Sequence, residues 1–144
     1  IFNKENHNFK LLIFGQGSEK KNLIKLINDF KLQKKILIKP FEKNIFKYIK
    51  NSNGVLLSSK WEGMPNILLQ SLYLSKPVLS TNCKSGPMEL KKFGFNIRLV
   101  PVNDIKNYAK ELKTLSKEKI DLKKNKILIE KYSDIYWKNI NKLF

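Results

Sequence analysis

Short apolar runs alternate with helix-spaced segments along nearly the whole chain, and this alternation most restricts what it can fold into. Lys10 to Phe14 is a first apolar run, ended by Gly15-Gln16-Gly17-Ser18, after which Leu23, Leu26, Ile27 and Phe30 fall at i, i+3, i+4 and i+7. That is strand, glycine turn and amphipathic helix. Ile36 to Ile38 is a second run, closed by Pro40 before a helical pattern at Ile45, Phe46 and Ile49. Gly54-Val55-Leu56-Leu57-Ser58 is apolar on consecutive positions, as expected of a central parallel strand buried on both faces. Asn66 to Ser75 carries Ile67, Leu68, Leu69, Leu72, Tyr73 and Leu74, so this helix is apolar nearly all round and is expected to be buried. Pro77-Val78-Leu79-Ser80 supplies the next strand, the Ser85-Gly86-Pro87 turn opens a short helix to about Lys92, and Ile97 to Val100 reads as a last strand before Pro101. Val102-Asn103-Asp104 opens a helix with Ile105, Tyr108, Ala109 and Leu112. Ser116 to Lys131 reads as an irregular lysine-rich stretch, and Ser133 is placed to cap a final helix over residues 133–144, with Tyr136, Ile140 and Leu143 on one face. Strands and helices alternating at this spacing predict an α/β fold: an open parallel sheet with helices on both faces.

The 144 residues are enough for one domain with a real core and short for a two-domain enzyme. The chain starts at Ile1 rather than methionine, as expected of an excised or incomplete chain. No apolar stretch is long enough to span a bilayer, and the start lacks the basic-then-apolar order of a signal peptide. Cys83 is the only cysteine, so an internal disulfide and a multi-thiolate zinc site are both excluded, which fits a reducing compartment. His7 is the only histidine and has no assigned role; metal catalysis finds little support. The net charge of +17 invites a nucleic-acid or anionic-membrane reading. All basic residues but Arg98 are lysine, however, and Asn and Ile are abundant, the composition expected of drift toward adenine and thymine in the codons. Base readers favour arginine and exposed aromatics, and neither forms a cluster here. A solvated lysine surface is the favoured reading, with a membrane-surface role for part of the lysine as the second.

In open α/β sheets ligands bind outside the carboxyl ends of the strands, where loops meet helix starts. Ser58-Ser59-Lys60-Trp61-Glu62-Gly63-Met64-Pro65-Asn66 is such a loop. The first N–H groups of the following helix, around Asn66, Ile67 and Leu68, lack intrahelical partners, and the helix dipole adds partial positive charge, so an anionic diphosphate is well received there. Pro65 suits the start of that helix because its missing N–H costs nothing. Gly63 lets backbone come close to a ligand, and Gln70, on the second turn, leans toward the mouth that Glu62 borders.

Glu62-Gly63-Met64-Pro65-Asn66, then Lys76-Pro77-Val78-Leu79-Ser80-Thr81-Asn82-Cys83, then Gly86-Pro87-Met88-Glu89 arrive in an order and spacing that resembles family 4 (group 1) glycosyltransferases. The family pattern is Glu-Gly-x-Pro-Asn-x-x-x-Glu, Gly-x-Pro-Val and Gly-Pro-x-Glu. The resemblance implies that residues 1–144 are a single, partial, Rossmann-like C-terminal domain of a GT-B enzyme that binds a nucleotide-sugar, with 133–144 its terminal helix. It implies that Glu62 hydrogen-bonds donor-sugar hydroxyls as the catalytic-site glutamate, while the amides of Met64, Asn66 and Ile67 hold sugar and diphosphate. Gln70 replaces the second glutamate, which in relatives binds the ribose diol, so weaker or altered donor use is expected. Glu89 is similar to a residue near the donor site, and equally serves as a first-turn glutamate complementing the helix dipole. Gly15 and Gly17 match a Gly-x-Gly loop bordering the cleft, although any strand-to-helix turn uses glycines. Lys60 and Lys84 stand in loops on the same side and are read as surface charge, and Cys83 as a packed small residue. Ile38 and Lys39 match a segment that meets the nucleobase in relatives, but Pro40 stands where they carry glycine.

The same resemblance places a first strand-helix unit, with an arginine and a lysine for the diphosphate, ahead of Ile1, together with an N-terminal half that binds the acceptor. The implied activity is transfer of a sugar, with retention, from a UDP- or GDP-sugar substrate to an envelope glycan or lipid-linked acceptor, with no cofactor and no metal. A cytoplasmic location is implied, peripheral at the inner face of an anionic membrane, with no specific nucleic acid bound. Two alternatives stand beside it: a non-catalytic GT-B remnant, and a basic α/β module that docks on anionic lipid or nucleic acid. A dinucleotide-dependent dehydrogenase is disfavoured, because no Gly-x-Gly-x-x-Gly follows a first strand.

Overall fold

The computed structural model describes residues 9–115 and 122–140, with the side chains of 122 and 136–140 outside that description. His7, Leu143 and the side chains of Tyr136 and Ile140 therefore lie outside the described residues. The chain divides into two compact units, Ile1–Ile45 and Phe46–Phe144.

The first unit is a strand-helix-strand motif. Strands β1 (Leu11–Phe14) and β2 (Ile36–Lys39) are joined by helix α1 (Lys20–Asp29). They pair in parallel from Leu11 against Ile36 to Phe14 against Lys39. A Gly15 N–H to Lys39 carbonyl bond at 3.1 Å extends the ladder past the end of β1. The apolar stripe of α1 forms as its spacing predicts, yet a two-stranded sheet offers little surface to cover it. No residue of α1 is buried.

The second unit holds a parallel three-stranded sheet in the order β3 (Val55–Leu57), β4 (Val78–Thr81), β5 (Arg98–Val100). Helix α2 (Phe46–Lys50) precedes it; α3 (Asn66–Tyr73) and α4 (Pro87–Phe93) are the two crossovers, and α5 (Ile105–Leu115) and α6 (Leu122–Ile140) follow. Side chains alternate along each strand, and the register sorts them into two cores. Val78, Leu57 and Leu99 face one side, with Leu68 and Leu72 of α3, Leu90 of α4, and Leu128, Ile129 and Tyr132 of α6. Leu79, Leu56 and Val100 face the other, with Tyr108, Leu112 and Leu115 of α5. Helices thus cover both faces of this sheet. Leu68, Leu72, Leu79 and Leu90 are all fully buried, worth about 1.5–3 kcal/mol each.

Two local expectations are corrected. The strand buried on both faces is β4, every residue of which is buried, and not β3. β3 stands at an edge of the three-stranded sheet, so its apolar residues are half-buried. The last helix begins at Leu122, and Ser133 lies inside it instead of capping it. Asn125 shows why the earlier start is held: it is 3% exposed, and its amide donates to the Leu72 carbonyl at 3.1 Å, which fixes this part of α6 against α3. The rest of the lysine-rich stretch, residues 116–121, lies outside the described residues.

Arg98, the only arginine, pairs with Glu111 of α5 at 3.0 Å and donates to Thr114 Oγ1 at 2.5 Å. Its charge serves the packing of α5 on β5.

Candidate functional site

Parallel strands β3 and β4 are neighbours, so the loops leaving their carboxyl ends lie side by side. The loop after β3 runs to Pro65, which is the N-cap of α3. The loop after β4 runs from Asn82 to Gly86, the N-cap of α4. Their backbones meet in a parallel bridge between Trp61 and Lys84. Side chains add two ties across and one within the first loop. Thr81 Oγ1 donates to the Ser59 carbonyl at 2.5 Å, Ser85 Oγ donates to the Glu62 carbonyl, and Ser59 Oγ donates to Glu62 Oε1 at 2.5 Å.

Gly86 explains why the second loop needs glycine. Its φ is +65°, a left-handed conformation that side chains rarely adopt, and a Cβ there would collide with the Gly63 carbonyl oxygen and stand 2.5 Å from Pro65 Cδ. The Gly-Pro turn therefore lets the second loop lie flat against the first. Gly63 differs: it is exposed, and a Cβ would meet nothing within 4 Å. Packing among the described residues does not require glycine at that position.

The sequence-selected residues fall as follows. Glu62 is half-buried, with its carboxylate held by Ser59. Met64 is half-buried against the α3 and α4 core, and its sulfur accepts a 3.4 Å bond from the Tyr132 hydroxyl. Tyr132 in turn packs edge-on against Phe93 at 5.1 Å between ring centres, so α6 supports the loop from behind. Pro65 is buried, Asn66 is exposed and Ile67 packs its side chain into the core. Helix α3 has no side-chain cap, and the Leu68 N–H turns back to the Pro65 carbonyl at 2.9 Å. The N–H groups of the first turn before it, Asn66 and Ile67, come from the part of a helix that lacks intrahelical acceptors. Gln70 is half-buried on the following turn. Residues 62–67 and the loop ending at Gly86 thus form one joined surface. Glu89 is exposed on the first turn of α4. Gly15, at φ +149°, and Gly17 belong to the first unit, after β1. Lys60 and Lys84 are exposed, and Cys83 is buried. Trp61 is 77% exposed beside Glu62, and with Ser59 and Lys60 it lines a shallow depression.

Sequence reasoning did not single out Ser59, Thr81, Ser85 or Tyr132. Ser59 is three residues before Glu62 and within reach of it, a local signal that was present. The other three act across the fold and leave no mark on spacing.

The family model described as "Glycosyl transferases group 1" matches residues 1–133. An uncharacterised glycosyltransferase of Methanocaldococcus jannaschii is 46% identical over 83 residues, covering 58% of this chain and 20% of the relative. The N-acetylgalactosamine-N,N'-diacetylbacillosaminyl-diphospho-undecaprenol 4-alpha-N-acetylgalactosaminyltransferase of Campylobacter jejuni is 36% identical over 109 residues, covering 74% of this chain and 29% of that enzyme. Among solved structures, a variant of TarM from S. aureus in complex with fondaparinux, alpha-GlcNAc-glycerol and UDP superposes with a TM-score of 0.84 at 24% identity, over 97% of this chain and 30% of TarM. The chain spans less than a third of each of these relatives.

Proposed function

The chain belongs to the group 1 glycosyl transferase family, and we propose that it is the donor-binding part of a GT-B enzyme that takes a nucleotide-sugar as substrate. The observation that carries the reading is the Glu62 carboxylate, held by Ser59 at 2.5 Å beside the uncapped start of α3. A carboxylate there accepts hydrogen bonds from donor-sugar hydroxyls, and the adjacent helix start offers N–H groups and partial positive charge to the diphosphate.

In this reading Glu62 binds the sugar, and backbone at Gly63, Met64, Pro65, Asn66 and Ile67 lines its path. The open space around Gly63 supports close approach of a ligand to the main chain. Gln70 meets the ribose, Glu89 borders the same mouth, and Gly15 and Gly17 belong to a second loop region of the complete enzyme. Transfer with retention has the acceptor hydroxyl attack on the face from which the diphosphate leaves. The charge that develops on the leaving group is then met by the α3 amides and by cations of a first strand-helix unit in the remainder of the protein. No cofactor enters this scheme, and the UDP- or GDP-sugar is a substrate.

The acceptor is a glycan or lipid-linked glycan of the cell envelope, a class to which the diphospho-undecaprenol substrate of the Campylobacter relative belongs. A lysine-rich surface with net charge +17 suits peripheral contact with an anionic inner membrane face from the cytoplasm. No helix among the described residues is long and apolar enough to cross a membrane.

Calorimetric titration of the full-length protein with a panel of UDP- and GDP-sugars tests the reading. One donor should bind, and Glu62→Gln should remove the advantage of the nucleotide-sugar over the bare nucleotide. If no member of the panel binds, donor binding is ruled out and the non-catalytic reading, which Gln70 favours, takes its place.

A further inference from the structure

We propose that Ser59 is a positioning residue that sets the direction of the Glu62 carboxylate toward the donor sugar; this rests on the donor-binding reading of Glu62. Ser59 Oγ donates its one proton to Glu62 Oε1 at 2.5 Å. Among the described residues Glu62 Oε2 has no hydrogen bond, so it is the oxygen left to accept from a ligand. A carboxylate with one oxygen tethered presents the other along a defined line; an untethered one turns about its terminal torsion, which is broad for glutamate.

The tether is itself fixed at both ends. The carbonyl of Ser59 accepts from Thr81 Oγ1 at 2.5 Å, and Thr81 is the buried last residue of β4, the central strand. The carbonyl of Glu62 accepts from Ser85 Oγ, and the bridge between Trp61 and Lys84 holds the backbone between the two residues. Neither Ser59 nor Glu62 can leave without breaking a bond to the neighbouring loop or strand. Ser59 therefore transmits the position of the central strand to the carboxylate. It does so without touching the nucleotide, and its effect should appear in the sugar contribution alone. Because the proton of Ser59 is already given to Glu62, its own hydroxyl has none left to donate to a ligand.

The test is the ratio of dissociation constants for UDP and for a UDP-sugar, measured by calorimetry on the full-length protein. UDP-N-acetylglucosamine, UDP-galactose and, with GDP as reference, GDP-mannose serve as probes, and the best wild-type binder is carried forward. Ser59→Ala is expected to cut the ratio about tenfold, leave the affinity for the bare nucleotide unchanged, and be rescued by Ser59→Thr, which restores a hydroxyl. Ser59→Cys, which keeps the volume and weakens the donor, gives the same reading if the alanine variant fails to fold. Retention of the ratio in Ser59→Ala, with its collapse in Glu62→Gln, overturns the role of Ser59 while leaving that of Glu62. Equal weakening of nucleotide and nucleotide-sugar also overturns it, because that marks general loop support. An unchanged ratio in Glu62→Gln removes both.

Discussion

The Tyr108 hydroxyl lies 3.2 Å from the Leu79 carbonyl oxygen, and the Leu57 carbonyl at 3.3 Å shares the same proton. One side chain of α5 thus touches the backbone of both β3 and β4 near the ends from which the site loops leave. Burial pushes the Tyr108 pKa up from 10.0 to about 12. The folded state therefore keeps this proton over a range in which the unfolded chain gives it up. That stability is fully present below the unfolded value and is lost as pH rises from about 10 toward 12. Tyr108→Phe should lower stability by about 1 kcal/mol near neutral pH. The gap to wild type should narrow as pH climbs through that window, read from urea midpoints at a series of pH values. A gap that stays constant would mean Tyr108 does not titrate differently on folding.

Gly86 and Gly63 sit on facing loops and should respond oppositely to alanine. At Gly86 the positive φ and the collision with the Gly63 carbonyl oxygen leave no room for a Cβ. Gly86→Ala should cost about 3 kcal/mol or more and lower the melting temperature. Gly63→Ala meets no atom of the described residues, so it should leave the melting temperature nearly unchanged and weaken donor binding. A matched pair of thermal melts and nucleotide-sugar titrations separates the two. Equal destabilisation by both substitutions would contradict the distinction.

How much of this could be read from the sequence depended on whether the signal was local. All the strands were legible, since short runs such as Val55–Leu57 and the one that starts at Val78-Leu79 stand next to turn residues. Which of them is central was not, because strand order is set by pairing between segments far apart in the chain. β3 and β4 are both apolar, and only the partner on the second edge makes β4 the fully buried one. The start of α6 was obscured because exposed lysines dominate its first turns, and its buried contact is a polar one, Asn125 to Leu72. In the site, the run from Glu62 to Ile67 was legible as one contiguous motif. Its supports were not: Thr81, Ser85 and Tyr132 come from a strand, a loop and a helix that only the fold brings alongside.

Asn125 gives a test of how far α6 supports the rest. Its amide is buried and bonded to the Leu72 carbonyl at the end of α3. Asn125→Ala removes that bond, while the Leu72 carbonyl keeps the Ser75 N–H at 2.9 Å, so the loss should be about 0.5–1.5 kcal/mol. Chemical denaturation should show a lower midpoint with an unchanged slope. No shift in midpoint would mean that water replaces the amide at no cost.

Gln70 is one position at which this chain departs from the family pattern, and reversing that departure tests the ribose role directly. The residue is half-buried on α3, one turn beyond the helix start. A glutamine amide accepts through one oxygen, whereas a carboxylate accepts through two and carries charge, which strengthens bonds to a ribose diol. Gln70→Glu should therefore tighten nucleotide binding by about 1–2 kcal/mol, roughly five- to thirtyfold in the dissociation constant. Bare nucleotide and nucleotide-sugar should gain equally, because the contact is to the ribose. The added negative charge also opposes the diphosphate, and high salt screens such repulsion between partly exposed groups. The gain should therefore grow with ionic strength if the two effects compete. Binding that is unchanged or weaker at every salt concentration would assign Gln70 to helix packing and leave the ribose to other groups.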